Sequence, residues 1–136
     1  MVRSLQDEEA RNQATGLTRT SFHEKPSVDS GFSWFVIEQI LRSEPHDEAF
    51  FWATHQGAEI DLVLRRGDKL LGVECKRTDT PRLTRSIGIA LEDLGLKQVA
   101  VVHPGGKRFP LSTHVEAVPL SVVGGDGSIF TTTPSS

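Results

Sequence analysis

The sequence predicts an α/β sandwich around a mixed sheet, and three observations carry that expectation. Its apolar period switches between helical and alternating in the order helix, strand, strand, strand, helix, strand. A glycine-bearing turn sits between the second and third strands, as a hairpin requires. A capped helix then runs directly into a short, wholly apolar strand, which suits a central, parallel position.

Each element follows from local chemistry. Residues 1–29 are polar and lack a sustained apolar period, so they read as a flexible leader or the remnant of something longer. Residues 31–43 read as a buried helix with Asp29 or Ser30 as N-cap, stopped by Pro45. Phe32, Phe35, Val36 and Ile40 share one arc of it, widened by Trp34, Ile37 and Leu41, with Glu38 at the border. Residues 49–54 make a short aromatic strand, and Phe50, Phe51, Trp52 and Trp34 read as core. Residues 58–64 alternate, with Ile60, Leu62 and Leu64 on one face and Glu59, Asp61 and Val63 on the other. Arg66, Gly67 and Asp68 make the turn into residues 69–76. There Leu71, Val73 and Cys75 share one face, and Leu70, Gly72, Glu74 and Lys76 share the other.

Thr80 and Pro81 offer a cap and first position for the second helix, which Gly95 ends. Leu83, Ile87, Ala90, Leu91 and Leu94 keep its helical spacing. Residues 98–103 form the apolar strand. Residues 114–120 offer a last edge strand, since Pro119 cannot donate to a ladder. Residues 124–136 read as a disordered tail, which leaves one domain over residues 30–123.

Composition narrows the functional classes. The chain has 136 residues, 37% of them hydrophobic and 24% charged, which suits one globular domain rather than a disordered chain. No apolar run approaches the ~18 residues of a membrane span, and the N-terminus lacks the apolar core of a secretion signal. The single Cys75 excludes an internal disulfide and a cysteine zinc site and reads as a small buried group. A cytoplasmic protein without membrane contact is expected. His23, His46, His55, His103 and His114 show no ligand spacing and read as surface or packing residues. The net charge of -3 is uneven: residues 62–85 hold seven basic side chains against three acidic, and residues 1–61 hold five against eleven. Such a local excess either attracts a polyanion or is simply a solvated run.

One constellation carries chemistry. Asp61 and Glu74 stand on two strands joined by a hairpin, and Lys76 lies two residues beyond Glu74 on the same face. Two carboxylates brought into contact repel unless they share a proton or a divalent cation. Hard oxygen ligands of this kind suit Mg2+ or Mn2+, and a nearby lysine can orient a water or stabilise charge developing on phosphorus. The same residues also fit two faces that look at solvent.

The strings Gly57-Ala-Glu-Ile-Asp-Leu-Val-Leu64 and Gly72-Val-Glu-Cys-Lys76, after the helical Phe35-Val-Ile-Glu-Gln-Ile-Leu41, resemble the PD-(D/E)XK nuclease-like superfamily. The likeness spans roughly residues 31–103. Within the superfamily the chain is most similar to the uncharacterised C-terminal domain that follows P-loop ATPase modules in bacteria and archaea. The resemblance implies a restriction-endonuclease-like sandwich with a central four-stranded mixed sheet. It implies a Mg-dependent DNA endonuclease with Asp61 and Glu74 as metal carboxylates, Lys76 as the catalytic lysine and Glu38 as an added ligand from the first helix. Members often follow the lysine with serine, where this chain has Arg77, a possible phosphate contact together with Arg82 and Arg85 at the second helix. The implied partners are DNA, an ATPase module or a second copy of the chain. No G-x-x-x-x-G-K-[ST] loop occurs in the sequence. The alternative function is a non-catalytic module that binds nucleic acid or a partner and regulates an ATPase.

Overall fold

The apolar segments become two helices and one mixed sheet in the computed structural model, which describes residues 17–19, 31–55, 57–78, 80–125 and 128–130. In chain order these are β1 (Leu17–Arg19), α1 (Gly31–Ser43), β2 (Glu48–Ala53), β3 (Glu59–Arg66), β4 (Lys69–Cys75) and α2 (Arg85–Leu94). They are followed by β5 (Gln98–His103), β6 (Phe109–Pro110), β7 (Val115–Pro119) and a 3-10 turn at Leu120–Val122. The sheet order is β1-β2-β3-β4-β5-β7-β6. Strands β4, β5 and β7 run parallel to one another, and the remaining pairs are antiparallel.

The α-β-β-β-α-β run expected from the sequence is the centre of this arrangement, but the sheet is wider than four strands. It has six strands of three residues or more and the two-residue β6. Strand β1 lies in the stretch read as a leader and pairs Leu17 with Trp52. The rest of that leader, with the N-cap candidates Asp29 and Ser30, lies outside the described residues. Strand β7 is not the edge, because β6 covers it; Pro119 is tolerated at its last position, opposite His103.

A helix on each face covers the sheet. On one side Val36, Ile37, Ile40 and Leu41 of α1 pack on Leu62, Leu64, Leu71 and Val73. On the other, Ile87 and Ala90 of α2 pack among Trp52, Ile60, Val63, Val99 and Val101. Burial of side chains this size stabilises the fold by about 1.5–3 kcal/mol each. Phe50 and Trp52 are buried as expected. Phe35, expected on the inner arc, is 54% exposed, because the buried stripe runs instead through Val36, Ile37, Ile40 and Leu41. Among the described residues no helix is long and apolar enough to cross a membrane.

The second helix starts later than Thr80-Pro81 suggests. Thr84 is its N-cap, with Oγ1 accepting from the Ile87 N–H at 3.2 Å, and residues 81–84 are irregular. Pro81 is buried and Leu83 is 47% exposed, so neither belongs to a helical stripe. Gly95 ends the helix with φ 64, a left-handed conformation glycine adopts without strain.

Residues 128–130 were expected in a disordered tail, yet Ile129 and Phe130 are buried against α1. Polar bonds fix them. Buried Glu44, just past α1, accepts from Ser128 Oγ at 2.8 Å, Ile129 N–H at 3.1 Å and Arg66 Nη2 at 2.9 Å. Arg108 donates to the Ser128 and Ile129 carbonyls and pairs with Glu116 at 3.0 Å.

Candidate functional site

The β3–β4 hairpin builds the site. Its two-residue turn places Gly67, φ 62, and Asp68 between the paired Arg66 and Lys69. From there the ladder runs up to Leu62 opposite Val73. On the other side of β3, Phe50 pairs with Val63 but Trp52 pairs with Ile60, so the single residue Phe51 faces both Asp61 and Leu62. That is a β-bulge, a device common next to active sites. It turns Ile60 to the α2 side, away from Leu62 and Leu64, whereas strict alternation predicted one shared face.

The bulge also ends the regular ladder beside Asp61, whose side chain takes over as acceptor. The Cys75 N–H donates to Asp61 Oδ2 at 2.8 Å. Glu74 lies on the α2 side with Gly72, where a Cβ would stand 3.0 Å from Leu96 Cδ1 and 3.2 Å from Val99 Cγ2. With no side chain at Gly72, Leu96, just past α2, and Val99 of β5 pack tightly on the strand two residues before Glu74. Glu74 is 6% exposed. Burial, and then the adjoining Asp61 carboxyl, push its pKa up to about 9, while the Lys76 ammonium pulls the other way. Lys76 Nζ stands 3.8 Å from Glu74 Oε2. Cys75 faces α1, and its thiol is pushed up by burial and by the charges of Asp61 and Glu74.

The structure therefore brings Asp61, Glu74 and Lys76 together. Glu38, half-buried in mid-α1, does not join them: no group of three or more His, Cys, Asp or Glu side chains that could hold a metal forms among the described residues. Arg77, Arg82 and Arg85 are exposed. Ser86, in the first turn of α2, accepts from the Glu59 N–H at 3.3 Å, which seats that turn over the start of β3, two residues before Asp61. Arg65 and Arg66, counted in the basic run, lie at the other end of the hairpin and are held by Glu48, Asp47 and Glu44. Alternation gives no signal for the bulge or for Glu44. His55 is exposed in the β2–β3 turn, and Gln56 lies outside the described residues.

The donor set fits a hard divalent cation. Two carboxyl groups are in contact, and the buried one is kept neutral by burial and by its hydrogen bond to Asp61; paired carboxyl oxygens of this kind are the ligands such a cation takes.

Residues 31–123 match the family model described as Domain of unknown function (DUF4143). The chain belongs to the DUF4143 family. The DUF4143 match runs from α1 through the 3-10 turn and includes Asp61, Glu74 and Lys76. Uncharacterized protein Mb2031c of Mycobacterium bovis and uncharacterized protein Rv2008c of Mycobacterium tuberculosis are each 38% identical to this chain over 111 residues. Those residues are 82% of this chain and 25% of each relative, so the chain spans about a quarter of the length of the curated relatives it matches. No solved structure matches the chain.

Proposed function

We propose that this DUF4143 domain is a metal-dependent nuclease of the PD-(D/E)XK type, with a restriction-endonuclease-like core, that hydrolyses DNA phosphodiester bonds. The observation that carries the reading is the buried Glu74 carboxyl against Asp61 with the Lys76 ammonium 3.8 Å away. Asp61 and Glu74 would hold Mg2+ or Mn2+, which supplies Lewis-acid activation of a water and charge neutralisation at phosphorus. To hold the ion Glu74 would release its proton to solvent, because the ligand form of a carboxyl is the carboxylate. The Cys75 N–H holds Asp61 in one orientation, so that ligand is preorganised by the backbone. Lys76, free of any closer ion pair among the described residues, orients the attacking water and stabilises charge on the phosphoryl oxygens. Exposed Arg77, Arg82 and Arg85 supply phosphate contacts along the DNA.

Purified protein with Mg2+ or Mn2+ is expected to nick plasmid DNA. Asp61→Asn and Lys76→Ala should each lower the rate by roughly 100-fold or more. Asparagine is the informative replacement at 61, because it still accepts from Cys75 while giving up the charge. Nicking at the native rate in both variants would dismiss the proposal. The quarter-length match to the relatives favours a second reading, a non-catalytic module of a longer protein, such as an ATPase, that binds nucleic acid or a partner. Calorimetry separates the two: only the nuclease predicts Mn2+ binding heat that Glu74→Gln removes.

A further inference from the structure

His103 ends β5 and is fully buried. Register places it beside Lys76: Glu74 pairs with Val101, Cys75 pairs with Val102, and the Lys76 N–H donates to the Val102 carbonyl at 2.8 Å. Both of its ring nitrogens are engaged by the turn that follows. The Gly105 N–H donates to Nδ1 at 3.0 Å, so Nε2 bears the proton and donates to the Lys107 carbonyl at 2.9 Å. The Phe109 ring closes against it at 5.7 Å. A side chain engaged this way has no nitrogen left for a metal or a substrate proton. It is a positioning residue, and what it positions is the turn at residues 104–107.

That turn carries two exposed residues with donors to spare. Lys107 is exposed and forms no ion pair among the described residues. The Gly106 N–H makes no hydrogen bond among them, and nothing lies within 4 Å of where a Cβ would stand. The turn projects from the carboxyl end of β5, the same end of the parallel strands that carries Glu74 and Lys76. Loops beyond the carboxyl ends of parallel strands are where open α/β sheets take their ligands. An exposed glycine whose N–H has no bond among the described residues, followed by an exposed lysine, offers two donors suited to phosphate oxygens.

Building on the nuclease reading above, we infer that residues 104–107 seat a DNA backbone phosphate beside the scissile one, with Lys107 and the Gly106 N–H as its contacts and His103 holding the turn in place. Fluorescence anisotropy with a short labelled DNA duplex in Ca2+, read over a range of salt concentrations, tests this without requiring cleavage. Lys107→Ala should weaken binding roughly eightfold near 0.1 M salt and reduce the slope of log affinity against log salt by about one. Lys107→Arg should restore both. Lys69→Ala, at the far end of the hairpin, should change neither. His103→Ala should lose as much as Lys107→Ala, with no further loss in the double variant; where it fails to fold, the Lys107 pair decides. An unchanged affinity and slope in Lys107→Ala, or the same loss in Lys69→Ala, would overturn the inference. The two proposals fail separately. Lys107-dependent DNA binding without cleavage in any divalent ion retires the nuclease and keeps the phosphate seat. Cleavage that needs Asp61 but is indifferent to Lys107 does the reverse.

Discussion

Glu74 carries its proton at neutral pH, because burial and the Asp61 carboxyl raise its pKa from an ordinary 4.5 to about 9. In the unfolded chain the same group ionises near 4.5, so between these values the folded state binds more protons. Raising the pH across that window therefore favours unfolding. The contribution is whole below about 4.5 and is lost as pH passes about 9. Urea melts at pH 5, 7 and 9 should show metal-free protein losing stability along this series. Glu74→Gln, which keeps the shape and cannot ionise, should flatten that dependence and gain on the order of 5 °C in Tm at pH 9. Mn2+ at pH 8 should raise the melting temperature of the native protein and leave the Gln variant unmoved. The triad itself is legible in the sequence, since a period of two and a tight hairpin suffice to bring Asp61, Glu74 and Lys76 to one place. The bond from the Cys75 N–H to Asp61 is not, because it depends on a bulge that no residue type announces.

Elements are legible in the sequence where one pattern dominates and obscure where two compete. Strand β5 and helix α1 match expectation because their apolar runs allow one reading. Helix α2 had two threonine caps to choose from. Thr80 precedes a proline, a good local signal, but Thr84 stands three residues before Ile87, where the buried stripe begins. Tertiary burial chose the later start, and Pro81 instead fills a buried corner of the loop. With Thr84 as the cap, Thr84→Ala should cost about 1 kcal/mol in denaturant titrations, and Thr80→Ala should be near neutral. Equal costs would mean that the helix frays back toward Pro81. The bulge in β3 shows the same competition: alternation alone sends Ile60 to the α1 side, and the extra residue turns it to the α2 side, where it packs over Gly72 with Leu96 and Val99.

At the level of the whole molecule, charge is sorted along the strand axis. Arg65 and Arg66 serve the hairpin end, bound to acidic neighbours, while Arg77, Arg82, Arg85 and Lys107 stand exposed and follow the carboxyl ends of β4 and β5 in the chain. The basic run in the sequence is therefore smaller as a polyanion surface than its count implies, and sequence alone could not divide it. Glu44 has the opposite history: an unremarked residue before a proline that ties α1, β3 and residues 128–130 together. Glu44→Ala leaves the Ser128 and Ile129 donors without their acceptor and takes from Arg66 its carboxylate partner, and a loss on the order of 3 kcal/mol is expected from chemical denaturation. A loss under 1 kcal/mol would show that the segment is held by Ile129 and Phe130 alone. This anchoring bears on how the gene is cut for expression. A recombinant fragment trimmed at the end of the family match, after Val123, discards Ile129 and Phe130 and uncovers the part of the α1 core that they close, so soluble material calls for a stop codon or fusion tag placed downstream of Phe130.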